Sequence, residues 1–501
     1  MQEIDALETH LAEIKALTEA AAVLGWDQQT YMPAGGADSR AAQMEALSRV
    51  IHEKMAGPET ARRLEAAEAA ASGLEADSDA AALVRAVRRD FDQATRIPAA
   101  LVAETARVTA LAHAHWADAR AGSDWASFAP WLSQILELTR QTADHLGNGG
   151  ERYDALLNQY EPGATAAEVR ALFEAIKPDT VALVQKIAAL GPDAVDASVL
   201  TRFYDEDTQK SFGETVITAL GYDFKRGRQD RALHPFCTSF GSGDVRITTR
   251  FDANFLPAAL FGTIHETGHA LYEQGLARRY PGVLGAASSL GVHESQSRLW
   301  ENLVGRSRPF WNHFYPALQA AFPAALGEVA ADSFYRAINK VEPSLIRVEA
   351  DEVTYNLHIL LRFEMETALL SGELSVADAP AAWNGKMEEY FGLTPPDDAS
   401  GILQDVHWSA GLIGYFPTYT LGNILSVQLF NKADADCGGQ LASQVEAGDF
   451  VPLLSWLREN VHQWGRKYLP KELAVRTVGG PLDPAPYLAY LQAKFGDVYG
   501  V

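Results

Sequence analysis

The chain has 501 residues, 47% of them hydrophobic, which is ample for a large core and too long for a simple single-layer domain. A formal net charge of −23 repels nucleic-acid backbones and anionic membrane surfaces on average, so neither is expected as a partner. Cys237 and Cys437 are the only cysteines, too few for a disulfide framework and in keeping with a reducing cytoplasm, and no apolar run approaches the length that spans a bilayer.

Met1 to Ala20 is acidic, with Ile4, Leu7, Leu11, Ile14 and Leu17 at heptad-like spacing, and lacks the basic flank and apolar block of a signal peptide. Residues 3 to 24 and 39 to 55 read as two amphipathic helices that pair as a hairpin, with Asp38 or Ser39 as N-cap of the second. Their connector sets Trp26, Asp27, Tyr31 and Met32 beside Gly35 and Gly36. Residues 71 to 78 form a small-and-acidic loop, and helices are predicted near 79–95, 98–121, 127–147 and 166–189. His113 and His115 are two apart, so they leave different faces of their helix and do not share a metal. Leu233 to Cys237 and Asp244 to Arg250 read as two short extended segments joined by Gly241, Ser242 and Gly243, a small sheet.

Pro257 to Gln274 then predicts a helix carrying His265, Glu266, Thr267, Gly268 and His269. Pro257 suits the first turn, and Gly275 is a plausible stop. Two histidines four residues apart lie roughly 40° apart around a helix, so both imidazoles can reach one metal ion, a zinc-ligand spacing. Glu266 flanks the pair, where its carboxylate can serve a water on the ion without being a ligand. A catalytic zinc takes three protein ligands, so a third must come from elsewhere. After a Gly- and Ser-rich loop from Arg278 to Leu290, Glu294 is the leading candidate, with His293 and Glu301 as alternatives.

Helices are predicted at 323–340, 346–371 and 376–392. Arg347 sits among carboxylates, either as a structural ion pair or for substrate recognition. Gly401 to Trp408 and Gly414 to Tyr419 form loops dense in hydrogen-bonding groups, including Asp405, His407 and Tyr419. Helices follow at 419–432 and 438–462, then a turn at Gly479 to Pro481 and a last helix at 484–495.

Five stretches in this order give the chain a resemblance to the carboxypeptidase Taq family of zinc metallocarboxypeptidases: His234, Pro235, Phe236; Asp244, Arg246, Thr248; His265, Glu266, His269; His293, Glu294, Ser295, Gln296; and Gln404, Asp405, His407, Trp408. Leu24 to Asp27 and Tyr31 to Pro33 are similar to that family too, so the likeness spans nearly the whole chain. It implies a mostly α, large helical metallopeptidase fold with a deep active-site cleft and a small β-sheet beside the zinc helix. The expected organisation is a single metallocarboxypeptidase domain over 1–501, with N-terminal helices of about 1–60 forming part of the cleft wall. It further implies a homodimer, release of single residues from peptides with a free C-terminus at broad preference, zinc on His265, His269 and Glu294 with cobalt able to substitute, and Glu266 as the catalytic carboxylate.

The chemistry of metal-assisted hydrolysis asks for further groups. Donors to the developing oxyanion are assigned to Tyr419, His407 and His234, in that order. Bidentate recognition of a terminal carboxylate calls for an arginine, Arg347 first and Arg246 or Arg250 second. Two other readings of the chain are a zinc oligopeptidase that cuts short peptides internally and a non-catalytic helical scaffold; retention of Glu266 argues against the scaffold, because a structural zinc site needs no general base.

Overall fold

Ile4, Leu7, Leu11 and Ile14 recur at helical spacing, and in the computed structural model they form the buried stripe of a helix running from Gln2 to Thr30. The stripe packs on Leu64 and Ala67 of the helix Pro58–Ala71, on Leu83, Val84 and Val87 of the helix Asp79–Arg96, and on Tyr280 and Leu284. The first helix pairs with Ala37–Met55 as the predicted hairpin. It runs on past residue 24, so Trp26 and Asp27 are helical and the connector shrinks to the residues after Thr30. Arg40 fastens the hairpin with Nη2 at 2.7 Å from Oδ2 of Asp27.

The structure describes residues 1–147, 149–276, 279–280 and 282–500. Arg278, which opens the predicted Gly- and Ser-rich loop, lies outside the described residues. The chain divides into two compact units: Met1–Thr95, Asp196–Ile338 and Ser426–Pro481 form the first, and Arg96–Val195, Asn339–Leu425 and the stretch from Leu482 onward form the second. Both are mostly helical, and among the described residues no helix is long and apolar enough to cross a membrane.

The sheet belongs to the first unit and has three strands, β1 (Gly227–Arg231), β2 (Cys237–Ser239) and β3 (Val245–Thr249), in the order β1-β3-β2. β1 runs parallel to β3, with Gly227 opposite Val245, and β2 antiparallel to it, with Cys237 opposite Ile247. The predicted strand over Asp244–Arg250 is therefore close to β3. Only Cys237 of the predicted Leu233–Cys237 segment is in a strand, because Pro235 has no N–H to give a ladder and the preceding residues turn in the open. β1 was not predicted: Gly227, Arg228, Gln229, Asp230 and Arg231 have no β-forming side chain, and tertiary pairing imposes the strand.

The sheet packs on the helix Leu256–Gly275. A buried triangle ties β1, β3 and this helix together, with Gln229 Nε2 2.7 Å from Thr249 Oγ1 and 2.8 Å from Thr263 Oγ1, and the two threonine oxygens 2.9 Å apart. Its corner at Thr263 stands two residues before His265. On another side of the helix Gly268 meets the segment Leu290–Arg298, where a side-chain Cβ at this position would lie 2.5 Å from Ser297 Cα and 2.6 Å from the Gln296 carbonyl oxygen. A glycine is what lets these two backbones approach.

The predicted helix over 346–371 begins only at Tyr355. Arg347–Glu349 is a single 3-10 turn, and Asp351 Oδ1 accepts from the backbone N–H groups of Val353 and Thr354 at 2.9 and 3.0 Å, in the manner of a helix start. The predicted 438–462 helix is two, Leu441–Glu446 and Val451–Asn460, separated at Gly448 with φ of 77°. Helices Pro58–Ala71, Arg152–Tyr160, Glu206–Leu220 and Arg308–Ala321 were not predicted.

Candidate metal centre

His265 and His269 leave one face of their helix, as the four-residue spacing requires, and turn Nε2 toward Oε2 of Glu294 at 3.7 and 3.4 Å. Donor atoms of the three residues all lie within 4.8 Å of one another. Donors about 2.0–2.2 Å from a tetrahedral ion stand roughly 3.3–3.6 Å apart, close to the 3.4 and 3.7 Å of the two histidine–Glu294 separations. Two imidazoles with one carboxylate are a donor set that suits a zinc-like ion with a fourth position open.

The far side of each histidine is held as well. His265 Nδ1 lies 2.9 Å from Glu301 Oε2, and His269 Nδ1 lies 3.1 Å from the His293 carbonyl oxygen. With Nδ1 as donor on each ring, Nε2 keeps its lone pair for a metal. Glu301 and His293, the alternatives for the third ligand, thus both stand at the Nδ1 sides. The helix of Glu294 widens into a π-helical turn over Leu299–Gly305, and Glu301 is presented from that turn. His293 has its Nδ1 2.5 Å from His269 Nδ1 and its Nε2 2.9 Å from Glu273 Oε1. Oε1 of Glu294 lies 2.7 Å from Arg298 Nε.

Charge states follow from burial and neighbours. Burial opposes ionisation of Glu294, yet Arg298, His265 and His269 outweigh it and hold the carboxyl well below its ordinary range. Burial, with His293 beside it, brings His269 down to about 4, leaving the neutral form that binds metals. Glu266 is buried and has a different balance: burial pushes it up to about 7, with Glu294 and Glu301 adding to the rise and His265 opposing it. A cation beside it acts in the opposite direction. Cys237 lies in the field of Glu266 and Glu273, and burial raises its thiol far above the ordinary value.

Other predicted site residues are distributed over the two units. In the first, His234 is exposed in the turn before β2, Arg250 is exposed just past β3, and Arg246 pairs with Asp244 through Nε and Nη2 at 2.8 and 2.7 Å while stacking on Trp26 at 4.2 Å. In the second unit Arg347 is buried, with Nε and Nη2 on Asp405 and Nη1 3.0 Å from the Tyr355 hydroxyl. His407 is 3.8 Å from Asp405, and burial brings its imidazole down to about 4. Tyr419 packs on the rings of Tyr415 and Tyr355, under the Arg347 guanidinium. The structure therefore brings Arg347, His407 and Tyr419 into one cluster around Asp405, and His265, Glu266, His269 and Glu294 into another.

Four members of these networks were not predicted. Arg298 bonds Glu294, and Glu273 bonds His293. Arg362 is fully buried and bonds Asp405 Oδ2 at 2.5 Å and Gln404 Oε1 at 2.7 Å, and Glu366 accepts from Tyr153, Trp408 and the Gly414 backbone. A lone arginine in the apolar run from Ile359 to Leu370 was the available signal for Arg362, since a buried charge needs a partner.

The sequence profile of the carboxypeptidase Taq (M32) metallopeptidases matches residues 6–495. The chain belongs to the carboxypeptidase Taq family. It is 45% identical over 498 residues to thermostable carboxypeptidase 1 of Thermus thermophilus, covering 97% of each chain. With carboxypeptidase 1 of Bacillus subtilis it shares 37% identity over 490 residues, 98% of this chain and 97% of that one. The crystal structure of an M32 carboxypeptidase from Deinococcus radiodurans R1 superposes with a TM-score of 0.96 at 42% identity, covering all of both chains. Membership of the carboxypeptidase Taq family makes the chain a metallocarboxypeptidase: a hydrolase with a metal cofactor that acts on peptides. Its mostly helical architecture with a small sheet is that of the family's solved structures.

Proposed function

We propose that the cofactor is zinc, held by His265, His269 and Glu294, and that Glu266 is the general base in the release of single residues, at broad preference, from peptides with a free C-terminus. The observation that carries this reading is the convergence of two Nε2 atoms on one oxygen of Glu294, with a fourth, buried acid one residue after the first histidine.

Zinc, when bound, polarises the scissile carbonyl and acidifies water. The Glu266 carboxylate accepts the proton of the attacking water and passes it to the nitrogen of the departing residue. Burial works in favour of the first of these transfers, since it favours the protonated carboxyl. Tyr419, His407 and His234 are assigned as hydrogen-bond donors to the oxyanion, on the strength of their side-chain chemistry. Arg347 is assigned to the terminal carboxylate. Asp405 and Tyr355 engage three of its five donors, which leaves one N–H on each terminal nitrogen, the pair a carboxylate accepts side by side. Arg246 and Arg250 stand second.

The family match over residues 6–495 runs through both units, which supports one metallocarboxypeptidase domain over 1–501; the N-terminal helices of about 1–60 are assigned to the cleft wall. Two free cysteines support a reducing cytoplasm. Cobalt is expected to substitute for zinc, and a homodimer to be seen in sedimentation. The test is mass spectrometry of a peptide pool, half of it C-terminally amidated, after exposure to zinc-loaded, chelated and Glu266→Gln protein. The reading requires ladders from many free C-termini with the first sample only. Internal fragments would instead indicate an oligopeptidase.

A further inference from the structure

Glu294 has two carboxylate oxygens, and the structure treats them differently. Oε2 faces His265 and His269, with the Ser297 hydroxyl 3.0 Å away. Oε1 lies 2.7 Å from Arg298 Nε, and the same guanidinium reaches Oε2 of Glu301 through Nη1 at 3.3 Å. Glu301 is the residue behind His265, and its other oxygen is 3.2 Å from Nη2 of Arg306. Arg306 is itself fixed, donating to the Ile338 carbonyl at 2.7 Å and lying 3.7 Å from the Phe261 ring centre. Arg298 and Arg306 thus balance the charges of Glu294 and Glu301, and one of them, Arg298, touches both carboxylates.

We propose that Arg298 is a positioning residue which keeps Glu294 to a single metal-binding oxygen, preserving the open coordination position that the substrate needs. The inference rests on the ligand assignment proposed above. A carboxylate beside a divalent ion can bind through one oxygen or through both, and a second oxygen from Glu294 would crowd the place of water or substrate. The guanidinium holds Oε1 through a charge-assisted bond on the side of Glu301, while Oε2 remains turned to the histidines. Removing Arg298 has two consequences that differ in sign for binding and for turnover. It takes a positive charge away from a cation site and frees a donor oxygen, so the metal is held at least as tightly; it also occupies the open position, so hydrolysis slows.

The test uses full-length protein loaded with cobalt, whose visible absorption weakens as coordination number rises, together with metal affinity from chelator competition. Wild type is expected to give the intense spectrum of a low-coordinate site. Arg298→Met is expected to absorb more weakly, to bind cobalt no less tightly, and to lose about 10- to 100-fold in turnover, the range seen for outer-shell residues. Arg298→Lys, which keeps the charge but cannot span two carboxylates, serves where the methionine variant does not fold, and should show the same changes in part. An unchanged spectrum in either variant, or an affinity that falls along with activity, overturns the proposal. His265→Ala separates the underlying assignment: if that variant still binds cobalt like wild type, the ligand set itself is wrong.

Discussion

Asp405 holds the Arg347 guanidinium with Oδ1 2.8 Å from Nη2 and 3.1 Å from Nε. Its other oxygen takes Arg362, so one carboxylate faces two buried guanidiniums. Burial works against ionising Asp405, and the two arginines overcome it, holding the carboxyl far below its ordinary range. The cluster carries one surplus positive charge. His407, 3.8 Å away, is kept neutral chiefly by burial, with both arginines opposing a further cation. A buried surplus of this sign suits an arriving carboxylate.

Arg347→Met is therefore expected to act on stability and on selection together. Asp405 keeps Arg362, so the loss should fall below the 3–5 kcal/mol of a fully broken buried pair, at about 2 kcal/mol in urea unfolding. The ratio of kcat/KM for free over amidated C-termini should fall at least tenfold. If that ratio is kept, the carboxylate site belongs to Arg246 or Arg250.

The candidate ligand pair could be read from sequence because its spacing is local: His265 and His269 need only a helix to face one point, and the helix has clear start and stop signals. Glu294 could be named, but its separation from Glu301 could not be judged, because the π-helical turn at Leu299–Gly305 changes which face the later residue presents. The helices predicted at 79–95, 98–121, 127–147 and 166–189 match the observed ones to within two residues. Pro58–Ala71, Glu206–Leu220 and Arg308–Ala321 were missed although each has a buried apolar stripe. β1 was missed because its residues have no strand preference, and the start at Tyr355 was missed because Arg347 and Asp351 are engaged with partners distant or capping rather than helical. What the sequence withheld was side-chain pairing across long separations, such as Tyr153 with Glu366.

Glu366 predicts a pH effect on stability. It is fully buried, and although it accepts from Tyr153 at 2.7 Å, Trp408 at 2.9 Å and Gly414 at 3.0 Å, burial outweighs these bonds and raises it to about 7 from 4.5. A raised folded value means stability that is complete below the unfolded value and is lost as pH rises through the folded one, on the order of 3 kcal/mol between pH 4.5 and 8. Glu366→Gln has no such titration. Its urea midpoint should lie below wild type at pH 5, where a bond is lost, and gain on wild type toward pH 8. Parallel profiles would show that Glu366 does not titrate in this window.

Tyr419→Phe removes one hydroxyl and leaves ring packing with Tyr355 and Tyr415 in place. As an oxyanion donor it is expected to account for about 10²-fold in kcat, with zinc content and KM little changed. An unaltered kcat would move the role to His407 or His234.

Glu266→Gln keeps size and burial while removing the base. Turnover should fall by about 10²- to 10⁴-fold at unchanged zinc content. Chelation should abolish activity in wild type, and zinc or cobalt should restore it there but not in the variant. Equal activity in the two zinc-loaded proteins would exclude Glu266 as the base.

Gly268→Ala tests whether the closeness of two helices sets the metal site. Alanine gains about 1 kcal/mol in helix propensity, which by itself would stabilise the protein. The added methyl, however, would stand 2.5 Å from Ser297 Cα and 2.6 Å from the Gln296 carbonyl oxygen, and these are backbone atoms that no rotamer change can move. Overpacking of this kind costs about 1–3 kcal/mol, so the clash should win and the helices separate. Glu294 stands three residues before Ser297 on the shifted segment, while His265 and His269 stay on their own helix. Zinc affinity is therefore expected to fall about tenfold, beyond any drop in the urea midpoint of the chelated protein. Chelator competition at matched folded fractions measures the two effects separately. A lowered midpoint with unchanged affinity would mean that the loop before Leu290 absorbs the displacement and that Glu294 is placed by Arg298 and Ser297 instead of by the helix contact.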